Sequence, residues 1–203
     1  MFNVVLVEPE IPSNTGNIGR TCVITGSHLH LVGPFGFLLD DYSLKRAGMA
    51  YWSSLNVTRY KNWHEFLEQN AIDLELQNRL AQSTPVLPRV HLLTKRGATI
   101  YSDATYTEGD WLIFGKESSG LSRGLIDTYP ALCERIPMLD DSHALENAAD
   151  WQAQYGELHP ELRRDVAGNF VDDRTNWVTS LNLSNAAAIV LYEALRQTGF
   201  QGM

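Results

Sequence analysis

The chain is poor in several features that would each narrow its chemistry. It has two cysteines, Cys22 and Cys133, far apart and in apolar surroundings. That excludes a disulfide-stapled scaffold and a cysteine metal site, and it fits a reduced, cytoplasmic protein. Six histidines, His28, His30, His64, His91, His143 and His159, show neither metal-ligand spacing nor a nucleophile to serve. They read as structural, and no metal is expected. No apolar run approaches the ~20 residues of a membrane span. The opening Met1-Phe2-Asn3-Val4-Val5 lacks the basic region and cleavage site of a signal peptide, so neither secretion nor a membrane is expected. A Walker loop, a Gly-x-Ser-x-Gly elbow and a properly spaced G-x-G-x-x-G are also missing. Their absence argues against an NTPase, an α/β-hydrolase and a dinucleotide enzyme.

Positive charge is scarce too: 16 Lys and Arg face 24 Asp and Glu, a formal net charge of -8. This weighs against a polyanionic partner until its distribution is examined. Residues 1–138 carry 14 acidic and 12 basic side chains, a net of -2, whereas residues 139–179 carry 9 and 3, a net of -6. One stretch holds most of the acidity, and the remainder can present a local basic surface.

What is present is an alternation of strand and helix patterns. Strands are predicted at Phe2–Val7, Leu29–Val32, Leu55–Tyr60, Val90–Thr94, Trp111–Phe114 and Glu134–Pro137. Helices are predicted at Asn14–Thr25 with Asn14 as N-cap and Gly26 as C-cap, at Asp41–Met49, at Asn62–Asn70 with Asn62 and Glu65 close to a capping box, and at Ser122–Tyr129. A last helix carries the apolar stripe Leu183, Ala187, Val190, Leu191, Ala194 and Leu195 and ends at Gly199. Such alternation predicts an α/β fold, a parallel sheet flanked by helices. Residues 139–179 read instead as an acidic helical insertion in a single 203-residue domain.

Three segments carry candidate chemistry: Asn14-Thr15-Gly16-Asn17-Ile18-Gly19-Arg20, Phe114-Gly115-Lys116-Glu117-Ser118-Ser119-Gly120 and Ser180-Leu181-Asn182-Leu183-Ser184-Asn185. Small and polar residues at a strand end or helix start let backbone N–H groups approach a ligand closely, which suits a nucleotide-like molecule. Arg20 reads either as a solvated surface residue or as a phosphate or ribose contact. Glu117 reads either as a helix-start acid or as a site residue. Lys45-Arg46, Arg59 with Lys61, and Lys95-Arg96 read as solvated faces or as RNA phosphate contacts.

Together with Glu8-Pro9-Glu10-Ile11-Pro12-Ser13, Ile136-Pro137-Met138 and Tyr192-Glu193-Ala194-Leu195-Arg196-Gln197, these segments resemble the SPOUT-superfamily RNA 2'-O-methyltransferases. They are most similar to the YibK-like subgroup, which methylates the wobble nucleotide of certain tRNAs. The resemblance implies a C-terminal trefoil knot, a homodimer, S-adenosylmethionine as cofactor and tRNA as partner. It implies methyl transfer to the ribose 2'-hydroxyl of cytidine or uridine 34. Leu93, Gly115, Ile136 and Ser180 would line the cofactor pocket, and Asn14, Arg20, Glu117 and Asn182 would match catalytic positions. Arg96 and Tyr192 would fall among the substrate-side residues, and the basic pair Lys45 and Arg46 is a candidate for RNA phosphate contact beside them. Whether Arg20 takes the hydroxyl proton or only orients the hydroxyl stays open, since a guanidinium pKa lies above ~12. Methylation of another tRNA or rRNA ribose, or a silent RNA-binding dimer, are the competing readings. The chain departs from the subgroup at Lys116-Glu117-Ser118-Ser119, where relatives carry Pro-Glu-Thr-Arg, and in its long insertion before Ser180.

Overall fold

The computed structural model describes residues 1–37, 50–81, 88–139 and 180–203. The predicted helix at Asp41–Met49, with Lys45 and Arg46, and residues 140–179 of the expected insertion lie outside the described residues.

Among the described residues seven strands form one sheet: β1 (Asn3–Val7), β2 (His28–Val32), β3 (Val57–Tyr60), β4 (Val90–Leu93), β5 (Thr99–Ile100), β6 (Trp111–Phe114) and β7 (Cys133–Arg135). Their order is β3-β2-β1-β6-β4-β7-β5, and every pairing is parallel. The first three strands step outward one way and the chain then continues on the other side of β1. The β1–β6 seam is therefore the switch point of the sheet, the usual place for a ligand in such folds.

Both faces are covered, so strand residues are apolar on both alternations. Val4, Leu6, Leu112 and Phe114 face a core completed by Ile18 and Cys22 of α1 (Pro12–Thr25) and by the C-terminal helix. Val5, Trp111 and Ile113 face the opposite core. That core is closed by Phe66 of α2 (Trp63–Gln69), Leu74 of α3 (Leu74–Leu80) and Ile126 of α4 (Arg123–Thr128). The last helix, α5 (Leu183–Gln197), buries Ala187, Val190, Leu191, Ala194 and Leu195, the stripe read from its sequence. Burial raises the thiols of Cys22, to about 12, and Cys133, to about 11, so both are poor nucleophiles.

Asn62 caps α2 as expected, its side chain accepting from Glu65 N–H, while the Glu65 carboxylate reaches Lys61 N–H rather than Asn62. Asn14 does not cap α1. The helix begins earlier, with Ile11 in the cap position and Pro12 in the first turn, and places Asn14 inside it. A trefoil crossing would involve the chain between Leu139 and Ser180, which is outside the described residues. Among the described residues no helix is long and apolar enough to cross a membrane.

Candidate active site

The carboxyl ends of β4, β6 and β7 lie side by side, with Leu93 in register with Phe114 and with Glu134. Gly115 and Ile136 therefore leave the sheet on the same edge as Leu93. Leu93 and Gly115 are buried, Ile136 is half-buried against the core beneath α1 and α5, and Ser180 is exposed just before α5. Gly115 cannot carry a side chain. A Cβ there would stand 2.1 Å from the Gly120 carbonyl carbon and 2.1 Å from the Leu121 nitrogen. The loop after β6 doubles back on itself, with Gly120 N–H donating to the Lys116 carbonyl at 2.8 Å.

That loop is clamped to the loop after β1, across the switch point. Lys116 Nζ pairs with Glu8 at 2.9 Å. Ser118 donates to the Glu10 carboxylate through both its N–H and its hydroxyl, each at 2.9 Å. In return, Glu117 accepts from Glu10 N–H at 2.8 Å, from Ile11 N–H at 3.3 Å and from Asn14 Nδ2 at 3.1 Å. Ile11 has no capping side chain, and a carboxylate from a distant loop supplies the missing acceptor at a helix start whose dipole favours negative charge. Asn14 Oδ1 in turn accepts from Asn182 Nδ2 at 2.9 Å, and Asn182 Oδ1 accepts from Ser184 N–H at 2.8 Å as the N-cap of α5. Asn14, Glu117 and Asn182 thus form one hydrogen-bonded chain.

Arg20 is set apart from it. It is six residues beyond Asn14 on α1, about 9 Å along the axis, and it is exposed. Its guanidinium lies over the Tyr51 ring, 5.1 Å from the centroid. Tyr51 was not singled out in the sequence, because nothing local marks an aromatic that packs on a helix more than thirty positions away. The glycines near Arg20 are interior to α1 rather than part of a loop. A Cβ on Gly19 would meet Leu55 at 3.1 Å and Trp52 at 3.2 Å, so this glycine admits the segment that carries Tyr51. Arg96 is exposed in the loop after β4, and Tyr192 is 40% exposed on α5. Lys45 and Arg46 lie outside the described residues.

A second polar cluster, absent from the expected site, is buried below this edge. His91 Nδ1 meets Glu134 at 2.6 Å and His91 Nε2 meets Asp110 at 3.2 Å, and Tyr106 donates to Glu134 at 2.7 Å. Burial alone would lower the His91 pKa. The bonds and charges of Asp110 and Glu134 outweigh it and raise the value to about 9. The cluster therefore holds an imidazolium between two carboxylates. Among the described residues no group of three or more His, Cys, Asp or Glu can hold a metal ion.

The SpoU rRNA methylase family profile matches residues 1–149, which takes in β1 through β7. A tRNA (cytidine(34)-2'-O)-methyltransferase of Burkholderia cenocepacia is 36% identical over 203 residues, covering 100% of this chain and 99% of that protein. A crystal structure described as an RNA methyltransferase from Bacillus anthracis is 35% identical, with a TM-score of 0.70 over 100% of this chain and 98% of that one. A structure concerned with 2'-OH methylation of C/U34 on tRNA is 32% identical, with a TM-score of 0.66 over 98% and 97% of the two chains. With the parallel sheet, the clamped loops and the motif residues in place, the chain belongs to the SpoU rRNA methylase family.

Proposed function

We propose that this protein transfers the methyl group of S-adenosylmethionine to the ribose 2'-hydroxyl of the wobble nucleotide, cytidine or uridine 34, of tRNA. The observation that carries this reading is the identity, 36% over the whole chain, to a tRNA (cytidine(34)-2'-O)-methyltransferase. It would place the protein in the cytoplasm with its substrate.

The residues present fit the cofactor. The loops after β6 and β7 and before α5 offer backbone groups around Leu93, Gly115, Ile136 and Ser180. Met138 and Leu181, 39% and 38% exposed, add apolar surface of the kind an adenine or a thioether prefers. When bound, the cofactor supplies a methyl group already activated on a sulfonium. The protein's task is then to hold the ribose hydroxyl in line and to deal with its charge and proton. Glu117 has both oxygens engaged by the loop after β1 and the start of α1, and Asn14 and Asn182 engage each other. We assign these three the holding of the loops that bind the cofactor. Arg20, exposed and fork-shaped, is the group assigned to the ribose hydroxyl and its adjoining phosphate, with Arg96, Tyr192, Lys45 and Arg46 on the RNA side. Mass mapping of methylated nucleotides in tRNA incubated with the protein and S-adenosylmethionine tests the reading. Methylation at nucleotide 34 is expected, and methylation confined to another position overturns it.

A homodimer completes the proposal. Ile24 on α1 is 61% exposed, and Ile189 and Tyr192 on α5 are 37% and 40% exposed, apolar surface on two helices that pack together. Sedimentation at micromolar concentration is expected to give twice the chain mass of 22.8 kDa, and the mass of one chain would exclude the dimer.

A further inference from the structure

We propose that Tyr51 is a positioning residue for methyl transfer, holding the Arg20 guanidinium in its working orientation. The inference rests on the assignment of Arg20 to the ribose hydroxyl. An exposed arginine on a helix samples many rotamers, and a flexible group contributes to a transition state only after it has been ordered. Tyr51 supplies that order from a short 3-10 segment, Ala50–Ser54, which lies against α1. Trp52 and Leu55 seat the segment on the surface that Gly19 leaves bare, at 3.2 and 3.1 Å from where a Cβ would be.

The tyrosine is fixed at its far end as well. Its hydroxyl donates to the Gly16 carbonyl at 2.6 Å. Gly16 stands four residues before Arg20, so helix geometry makes that carbonyl the acceptor of the Arg20 amide too. The ring thus spans the turn that ends at Arg20, with the guanidinium 5.1 Å above its centroid. This is within the range of a cation–π contact. Burial pushes the Tyr51 phenol above its ordinary pKa, against the opposing charge and hydrogen bond of Arg20. The phenol therefore stays protonated at neutral pH and keeps donating to Gly16. A ring pinned at both ends is a rigid shelf, and the guanidinium resting on it is ordered before RNA arrives.

Three full-length variants test this: Tyr51→Leu, Tyr51→Phe and Arg20→Ala. Single-turnover rates at saturating tRNA and S-adenosylmethionine are compared with dissociation constants for both ligands from calorimetry. Loss of orientation at a reacting group costs up to about a hundredfold in rate. Tyr51→Leu is expected to lower the single-turnover rate about ten- to a hundredfold with both dissociation constants within about threefold of the parent. Tyr51→Phe keeps the ring but loses the Gly16 bond, and is expected to recover part of that rate. A parental rate in Tyr51→Leu beside an inactive Arg20→Ala overturns the Tyr51 proposal alone. A parental rate in Arg20→Ala overturns the assignment of Arg20 and the proposal with it. Tyr51→Leu losing cofactor affinity in proportion to rate, with no recovery in Tyr51→Phe, makes Tyr51 structural and also overturns the proposal.

Discussion

Replacing Glu117 by alanine removes a carboxylate that two backbone N–H groups and one side-chain amide share. The contact to Glu10 N–H is short at 2.8 Å, and those to Asn14 and Ile11 are longer at 3.1 and 3.3 Å. A hydrogen bond to a charged group contributes ~1.5–3 kcal/mol and an ordinary one ~1 kcal/mol. Glu117 is only half-buried, so water can replace part of what is lost. The short bond is therefore taken at ~1.5 kcal/mol and the two longer ones at ~0.5 kcal/mol each, a total of ~2–3 kcal/mol. In a chain of this length each kcal/mol shifts Tm by ~2–4 °C, so Glu117→Ala is expected to lower Tm by ~4–12 °C. Glu117→Gln keeps one acceptor oxygen but loses the charge at the α1 N-terminus, and is expected to fall about halfway. Calorimetry, with urea midpoints at constant m as a check, measures both. A Tm within 1 °C of the parent for Glu117→Ala would refute the reasoning, because the clamp would then carry no stability.

The remaining expectations concern other parts of the molecule. Stability should fall as pH rises: the His91 pKa, raised to about 9, gives a contribution fully present below ~6.5 and lost through 9, worth up to ~3 kcal/mol. Burial and neighbouring His28 lower His30 to about 3, which gives the opposite slope on the acid side, so urea midpoints should peak near neutrality. A midpoint that stays flat from pH 6.5 to 9.5 would rule out the buried imidazolium. Gly115→Ala places a methyl 2.1 Å from the Gly120 backbone, so calorimetry should show cofactor affinity reduced more than about tenfold and Tm lowered by ~2–10 °C. Parental cofactor affinity would place the cofactor elsewhere. Neutralising Lys45, Arg46 and Arg96 together should weaken tRNA binding and flatten its salt dependence by about one unit of slope per lost phosphate contact. An unchanged slope in filter-binding titrations would move the RNA surface to another face.

The sheet was legible because its strands are short apolar runs bounded by turns, and Trp111–Phe114 comes out with the predicted ends. β5 escaped for lack of length, having two residues. α3 escaped although its seven residues equal α2 and exceed the six of α4, and although Asp73 caps Leu76 N–H. The start of α1 was misplaced for a different reason. A side-chain cap is a local signal, but the acceptor at this helix start is Glu117, more than a hundred residues away in sequence. The site shows the same division. Its residue types and their order were visible through the family resemblance, whereas the bonds between them were not. Nothing in the sequence connects Asn14 to Asn182 across 168 positions, or Arg20 to Tyr51.

The direction of those bonds has a consequence for the chemistry. A carboxylate can only accept, so Asn14 must turn its amide nitrogen to Glu117 and its oxygen away. That oxygen then fixes Asn182 with nitrogen inward and oxygen toward Ser184 N–H, which begins α5. One negative charge therefore serves the N-termini of two helices, directly for α1 and through two amides for α5. Asparagine is the side chain of that size able to pass such a bond along, since an aspartate would lack the donor and a leucine both groups. The chain ends in the Glu10 and Ile11 N–H groups on one side and in the N–H and hydroxyl of Ser184 on the other, so its three members are engaged with one another and with the two helix starts. Its work is to hold the loops after β1 and β6 and the start of α5 at the switch point. In the proposed reaction the activation of the hydroxyl would fall to a group outside it, and we assign that part to Arg20, solvent-facing and laid over Tyr51, which would orient that oxygen and neutralise the charge it develops.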